Sequence, residues 1–264
     1  MEERPAPLAL KIAAFIMFLF LLAPVVLVVP ISFSADSYMA FPPSGWSLRW
    51  YVELMHNSKM MAALGTSTLL AVIVTVLSML IALPASYAIV RMRVIGADAL
   101  LAFFTAPLLL PTIVLGLAIL IVFAGAGLLA TFTGLVIAHL IIVLPYALRV
   151  LTTSLAGLPL IFEEAASTLG ASPLTVFRRV TMPMIAPGVV ATAALSFLVS
   201  FDEAVISLFL TGPRITTLPV AMYQHVETQA DPLVAAISVL LIVLTLAVVL
   251  IVDRTAGLTK TFVK

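Results

Sequence analysis

The sequence predicts an all-α integral membrane protein with six transmembrane helices and a short two-helix hairpin in the loop between the fourth and fifth spans. Hydrophobic residues make up 63% of the chain and charged residues 9%, which lies well outside the usual composition of a soluble globular domain. Because one helical span needs ~20 apolar residues, 264 residues leave room for about six spans and their loops. We therefore expect one transmembrane domain over residues 1–264.

Six apolar runs are long enough to cross a membrane. The first exceeds the ~7–15 apolar residues of a signal peptide and is followed by no A-x-A-like cleavage site, so we interpret it as a retained anchor. In the third run, Pro107 and Pro111 should kink the helix. The predicted spans cover about residues 11–31, 59–89, 99–123, 133–155, 186–210 and 233–252.

The distribution of lysine and arginine predicts the orientation of these spans. With the N-terminus inside, ten of these side chains are cytoplasmic and three are external. The cytoplasmic set is Arg4, Lys11, Arg91, Arg93, Arg149, Arg178, Arg179, Arg254, Lys260 and Lys264. The external set is Arg49, Lys59 and Arg214. Because positive residues concentrate on the cytoplasmic side, we expect both termini and the loop after the fourth span in the cytoplasm.

That loop, residues 159–183, carries the pattern of two short helices. Apolar residues at helical spacing indicate an amphipathic first helix that Gly170 ends. These residues are Phe162, Ala165, Ala166 and Leu169. Ser172 before Pro173 is typical of a helix N-cap followed by a first-turn proline, and Pro183 is expected to close the second helix.

The same loop resembles the EAA loop of bacterial ABC-importer permeases. Glu164, Ala165 and Ala166 are followed at the family's spacing by Gly170 and then by Val180, Met182 and Pro183. The family's usual ending is Ile-x-Leu-Pro, so two of these positions are conservative departures. The resemblance implies a cytoplasmic coupling helix that sits in a groove of an ATP-binding subunit. The coupling residues it implies are Glu163, Glu164, Ala165, Ala166, Leu169, Gly170, Ala171 and Ser172.

Further stretches resemble the spermidine/putrescine-type branch of these permeases, which includes importers of opines and aminophosphonates. They are APLLLPTIVLGLAILIVF in the third span and SFDEAVISLFLTGP followed by LPVAMY around the fifth. The resemblance implies an inner-membrane complex with an ATP-binding subunit dimer, a second permease and an external substrate-binding protein. The second permease is a copy of this chain or a paralogue, and the branch favours a paralogue. A small cationic solute such as a polyamine is the expected cargo, with an opine, an aminophosphonate or another small solute as the alternative.

The chain lacks the residues of an ATPase or of the common enzyme classes. It contains no cysteine and no G-x-x-x-x-G-K-[ST] phosphate loop, so we expect ATP hydrolysis on another subunit and no enzymatic activity here. A net charge of +1 without a basic stripe argues against a nucleic-acid partner, and three scattered histidines argue against a metal site or other cofactor. A stand-alone channel or secondary transporter and a membrane scaffold remain as rival interpretations.

Polar residues within the fifth span suggest a substrate path. Asp202 and Glu203 are costly in a bilayer and therefore should face a bundle interior or water. In a continuous helix, Glu203 lies on the same stripe as Ser196 and Ser200, and Asp202 points about 100° away. His139 of the fourth span completes the candidate path. The alternative is that the hydroxyl residues pack helices together and the acids pair with a partner permease.

Overall fold

The computed structural model describes residues 7–92 and 94–256. Four of the residues used to predict the orientation, Arg4, Arg93, Lys260 and Lys264, lie outside these ranges. The helices are α1 Leu8–Ser32, α2 Arg49–His56, α3 Ser58–Arg91, α4 Ala97–Thr105, α5 Thr112–Ala126, α6 Phe132–Ala156, α7 Ile161–Thr168, α8 Pro173–Val176, α9 Met182–Phe201, α10 Val205–Leu210, α11 Leu218–Thr228 and α12 Leu233–Ala256. A 3₁₀ turn covers Ala106–Leu109, and a π-helical turn covers Phe177–Thr181.

Five continuous helices in the described ranges are long and apolar enough to cross a membrane. They are Leu8–Ser32, Ser58–Arg91, Phe132–Ala156, Pro173–Phe201 and Leu233–Arg254. Ala97–Leu109 and Thr112–Ala126 would form a sixth span as a pair, but they are bent by 101°. The predicted class, an all-α membrane protein, is confirmed.

The third predicted span is sharply bent rather than merely kinked. Leu110 is extended, with φ −90° and ψ 140°, between the 3₁₀ turn and α5. The ring of Pro111 disfavours helical geometry in the residue before it, so the chain leaves the helix at Leu110. Both prolines that predicted a kink therefore lie at the bend, where Pro107 is the second residue of the 3₁₀ turn and Pro111 precedes α5.

The prediction that Pro183 closes the second hairpin helix is wrong. The helix continues from α8 through the π-helical turn into α9, and the Met182 N–H bonds to the Phe177 carbonyl five residues earlier. A proline ring ordinarily clashes with the carbonyl four residues before it. The wider π turn relieves this clash, so the hairpin and the fifth span share one helix of 29 residues, Pro173–Phe201.

The chain divides into two compact units, and the prediction of one domain stays a prediction. One unit comprises Met1–Met61 with Met222–Leu244, and the other comprises Ala62–Ala221 with Thr245–Lys264. In the first unit the loop after α1 pairs with the α11–α12 turn, because the Met39 N–H bonds to the Ala230 carbonyl at 3.0 Å. Most of α1 is exposed, as expected for a helix in contact with lipid, and burial begins near its C-terminal end, where Pro30 and Ile31 are half-buried and Ser32 is buried.

The second unit has apolar clusters that join α3, α6 and the fifth span. Near its middle, Ala82 of α3 packs against Leu148 and Leu151 of α6. At the base of the hairpin, Leu155 and Leu158 pack with Ile185 of α9. The hairpin is thus held where three long helices meet.

Candidate coupling hairpin and polar break

The first hairpin helix, α7, ends in a Schellman motif centred on Gly170. The Ala171 N–H bonds to the Ala166 carbonyl at 3.2 Å, and the Gly170 N–H bonds to the Ser167 carbonyl at 2.9 Å. Gly170 has φ +84°, a left-handed conformation that residues with a Cβ rarely adopt. The sequence prediction that Gly170 ends this helix is confirmed.

The second arm of the hairpin begins where the sequence predicts it. Ser172 is the N-cap of α8, its Oγ accepts the Thr175 N–H at 3.4 Å, and Pro173 occupies the first turn. The two arms are therefore capped independently and joined through Gly170 and Ala171. This local chemistry fixes the shape of the hairpin without help from a partner.

The outer surface of the hairpin is exposed and partly apolar. Leu169 is 89% exposed, and Ile161, Phe162 and Leu174 are exposed as well. Glu164, Ala165, Gly170 and Ser172 are exposed, whereas Ala166 and Ala171 are half-buried. The apolar stripe predicted for α7 therefore does not pack on the rest of the chain. An exposed apolar patch with a polar rim is typical of a protein-binding surface.

Glu163 differs from the other predicted coupling residues because its side chain points into the chain. It is 6% exposed, and its Oε2 lies 3.0 Å from Arg91 Nε. Thr181 Oγ1 donates to Glu163 Oε1 at 2.8 Å, and Arg91 Nη2 donates to the Leu158 carbonyl at 2.8 Å. The Glu163 carboxylate is thus buried and paired within the chain instead of exposed on the hairpin surface, and the coupling role predicted for it stays a prediction.

The resemblance to the EAA loop places Glu163 and Glu164 together in the predicted coupling set, because they are adjacent in the motif. On a helix they point about 100° apart, and only the packing of α7 decides which one is buried. Arg91 and Thr181 were not predicted as site residues. The position of Arg91 in the last turn of α3 was the one available signal.

A cleft of about 440 Å³ lies between the end of α3 and the two arms of the hairpin. Its lining includes Tyr87, Arg91, Glu163, Glu164, Pro173 and Val176. Beside it, the rings of Tyr87 and Phe177 meet edge to face with their centroids 5.1 Å apart. The hairpin therefore contacts α3 through an ion pair and an aromatic pair.

The acidic pair of the fifth span lies in a break between two helices, not on a continuous helix as predicted. Asp202 is the C-cap of α9, and α10 begins at Val205. Glu203 Oε1 accepts the Ile206 N–H at 3.0 Å, so this carboxylate caps α10. Asp202 is exposed and Glu203 is half-buried. Such irregular backbone at membrane depth is tolerated where it is buried in protein or lines a water-filled cavity.

His139 of α6 connects the two sides of this break. Its Nδ1 lies 3.0 Å from Ser200 Oγ, and its Nε2 lies 3.1 Å from Ser207 Oγ. A neutral imidazole has one donor and one acceptor, and a hydroxyl can serve either role. His139, Ser200 and Ser196 are buried, so in this structure only the two acids of the predicted path are accessible.

Comparison with known proteins relates the whole chain to membrane transport components. Residues 78–257 match the family described as binding-protein-dependent transport system inner membrane component. The chain is 34% identical over 236 residues to the putrescine transport system permease protein PotI of Escherichia coli strain K12, covering 85% of this chain and 82% of that protein. It is 31% identical over 237 residues to the spermidine/putrescine transport system permease protein PotC of Haemophilus influenzae, covering 90% and 92%.

A solved structure has the same fold. It is a bacterial ABC transporter involved in the import of the acidic polysaccharide alginate, and the match has a TM-score of 0.69 at 18% identity. The alignment covers 97% of this chain and 95% of the matched chain.

Proposed function

Because the chain belongs to the family of binding-protein-dependent transport system inner membrane components, we propose that it forms half of the membrane path of an ATP-driven polyamine importer. The other half is a second, paralogous permease. Two separate ATP-binding subunits supply energy, and an external substrate-binding protein delivers the solute. The chain itself is a multi-pass transport subunit of the inner membrane with both termini in the cytoplasm.

The observation that carries this proposal is the hairpin between α6 and α9. It is independently capped, its outer surface is exposed, and its second arm continues without interruption into the fifth span. A displacement imposed on the hairpin by a partner is therefore passed directly to a membrane helix. This is the mechanical property that an ATP-binding subunit needs in order to drive alternating access.

The hairpin residues divide into two roles. Glu164, Ala165, Leu169, Gly170 and Ser172 are exposed and form the surface that seats in the ATP-binding subunit, together with the half-buried Ala166 and Ala171. Glu164 is available there to pair with a basic side chain of that subunit. Glu163, whose carboxylate is paired with Arg91, fixes the hairpin to its own chain.

A polyamine is the solute class that the chemistry favours. Putrescine and spermidine carry ammonium groups, and two acidic side chains, Asp202 and Glu203, lie at the break in the fifth span. The names of PotI and PotC point to the same class. We assign Glu203 and Asp202 to the substrate path, and His139 with Ser200 to the contacts that hold the two sides of the break together. Ser196 is buried and stays a predicted path residue.

Uptake by the complete complex tests this function. Proteoliposomes holding this chain, its paralogue and the ATP-binding subunits, with ATP inside and the binding protein outside, should accumulate labelled putrescine. Omission of the ATP-binding subunits should abolish uptake. Equal uptake without them would support a stand-alone transporter, and competition by an opine or aminophosphonate but not by spermidine would overturn the polyamine assignment.

The orientation can be tested because the chain contains no cysteine. Ser37 and Ser172 are both exposed, and we place the first outside and the second in the cytoplasm. In intact spheroplasts an impermeant thiol reagent should label Ser37→Cys and spare Ser172→Cys. Both variants should react after permeabilisation. Labelling of Ser172→Cys from outside would contradict the orientation and the coupling role of the hairpin.

A further inference from the structure

We infer that the buried Arg91–Glu163 ion pair is the joint through which movement of the coupling hairpin reaches α3. This inference rests on the function proposed above. It adds a second transmission route, because the hairpin is already continuous with the fifth span. Arg91 and Glu163 are positioning residues in this role and touch neither ATP nor solute.

Four segments meet at this pair, and one of them, the end of α3, is distant in sequence from the other three. Arg91 lies in the last turn of α3, and its Nη2 holds the Leu158 carbonyl in the turn after α6. Glu163 lies in α7, and its second oxygen accepts the hydroxyl of Thr181 in the π-helical turn. Glu163 Oε1 and Arg91 Nη2 therefore each make a hydrogen bond, whereas Glu163 Oε2 and Arg91 Nε are joined by charge at 3.0 Å without hydrogen-bond alignment. Rotation of α7 against α3 would break several of these contacts together.

The pair lies directly beneath the surface proposed to bind the partner. Glu163 and Glu164 are neighbours on the eight-residue helix α7, with the first buried and the second exposed. One short helix thus presents one acid to the partner and the other to α3. A short path of this kind can carry displacement with little loss, because few rotatable groups lie between the two contacts.

Contacts around the pair strengthen the same connection. Tyr87 of α3 meets Phe177 of the π-helical turn, and Tyr87, Val90 and Met182 each pack against the apolar cluster at the base of the hairpin. The ion pair is the charged centre of this junction. Its side chains are only 11% and 8% exposed, so water screens their attraction weakly.

The far half of α3 indicates what this route would move. The helix is continuous over 34 residues, through Pro84, and spans roughly 50 Å at 1.5 Å per residue. In that half, Ser67 Oγ accepts the Leu218 N–H at 2.8 Å, where α11 begins. Displacement of Arg91 along the helix axis would therefore act on the segment that follows the fifth span.

The inference is tested by first weakening the Arg91–Glu163 ion pair and then replacing it with a covalent cross-link between α3 and the hairpin. Glu163→Gln removes the charge but keeps the oxygen that accepts from Thr181. In the reconstituted complex, we expect normal co-purification with the ATP-binding subunit and at least half of the basal ATPase rate, but at least tenfold less putrescine transported per ATP hydrolysed. Asp98→Asn makes the same chemical change at an exposed acid of α4 and should leave all three quantities unchanged.

A rescue experiment distinguishes an ion pair that transmits movement to α3 from one that only stabilises the fold. We expect a cross-link between Tyr87→Cys and Phe177→Cys, made with a short bifunctional thiol reagent, to act in the Glu163→Gln chain. It should restore at least half of the normal amount of putrescine transported per ATP hydrolysed. Cleavage of the linker should remove the gain. A chain that carries the two linked cysteines and keeps Glu163 should transport normally, because α3 and the hairpin move together.

Two results would overturn the inference. One is a loss of uptake in Glu163→Gln that matches the loss of assembled complex and does not respond to the cross-link. The other is inhibition by the same cross-link of a chain that carries the two cysteines and keeps Glu163, which would mean that α3 and the hairpin move relative to each other. Failure of the unsubstituted complex to transport putrescine would count against the proposed function instead, so the two failures are distinguishable.

Discussion

Replacing Gly170 with valine is expected to reduce putrescine uptake to below a tenth of its normal level while the chain still inserts in the membrane. Gly170 has φ +84°, and in the part of the chain that the structure describes no atom beyond its two chain neighbours lies within 4 Å of the position that a Cβ would occupy. The obstacle is therefore backbone strain and not space. An L-residue in this conformation costs roughly 1–2 kcal/mol, and a β-branched side chain is the least tolerated there. The chain should relieve that strain by opening the Schellman motif, which sets the angle between the two arms.

The matched control for this variant is Gly170→Asn. Asparagine is the residue that most readily replaces glycine at a left-handed helix end, so uptake should stay within about twofold of normal. Gly170→Ala should lie between the two, because it adds strain without branching. Transport is measured beside the amount of ATP-binding subunit that co-purifies. If all three variants transport equally, the shape of the hairpin is irrelevant to coupling and its proposed role is wrong.

The caps of the hairpin were predictable because they depend on neighbouring residues alone. A serine before a proline and a glycine after an apolar stripe have the same meaning in most sequences, and Ser172 and Gly170 follow these rules in the structure. The apolar spans were predictable for a similar reason, since bilayer thickness sets their length.

The irregular points of the fifth span, which are the π-helical turn and the break between α9 and α10, were harder to predict. They depend on which local hydrogen bonds form. The apolar sequence continues to Leu210, so its pattern favoured one long fifth span. The Glu203 carboxylate instead accepts the Ile206 N–H and opens α10, while the π turn carries the helix past Pro183. Nothing in the hydrophobic pattern distinguishes these outcomes.

The Arg91–Glu163 pair could not be predicted from the sequence, for a different reason. Its partners come from different helices, and only the packing of α3 against the base of the hairpin brings them together. The same holds for His139, whose contacts with Ser200 and Ser207 depend on the break in the fifth span. A motif can indicate that a polar residue matters, but its partner is a property of the fold.

Glu203→Gln is expected to lower putrescine uptake about 10- to 100-fold, because a hydrogen bond to a charged group contributes roughly 1.5–3 kcal/mol. The glutamine oxygen can still accept the Ile206 N–H, so the cap of α10 is retained. The loss should therefore come from the missing charge opposite the ammonium group. Assembly with the paralogue and the basal ATPase rate should be unchanged.

Two further variants distinguish a substrate role of Glu203 from a packing role. Glu203→Ala removes both the charge and the cap, so it should also reduce the yield of assembled complex, which Glu203→Gln should not. Asp202→Asn neutralises the neighbouring acid, which is exposed, and should reduce uptake less than Glu203→Gln does. If Glu203→Gln transports normally, or if its uptake falls only in proportion to the assembled complex, Glu203 serves the packing of the fifth span. The substrate path must then lie elsewhere in the complex.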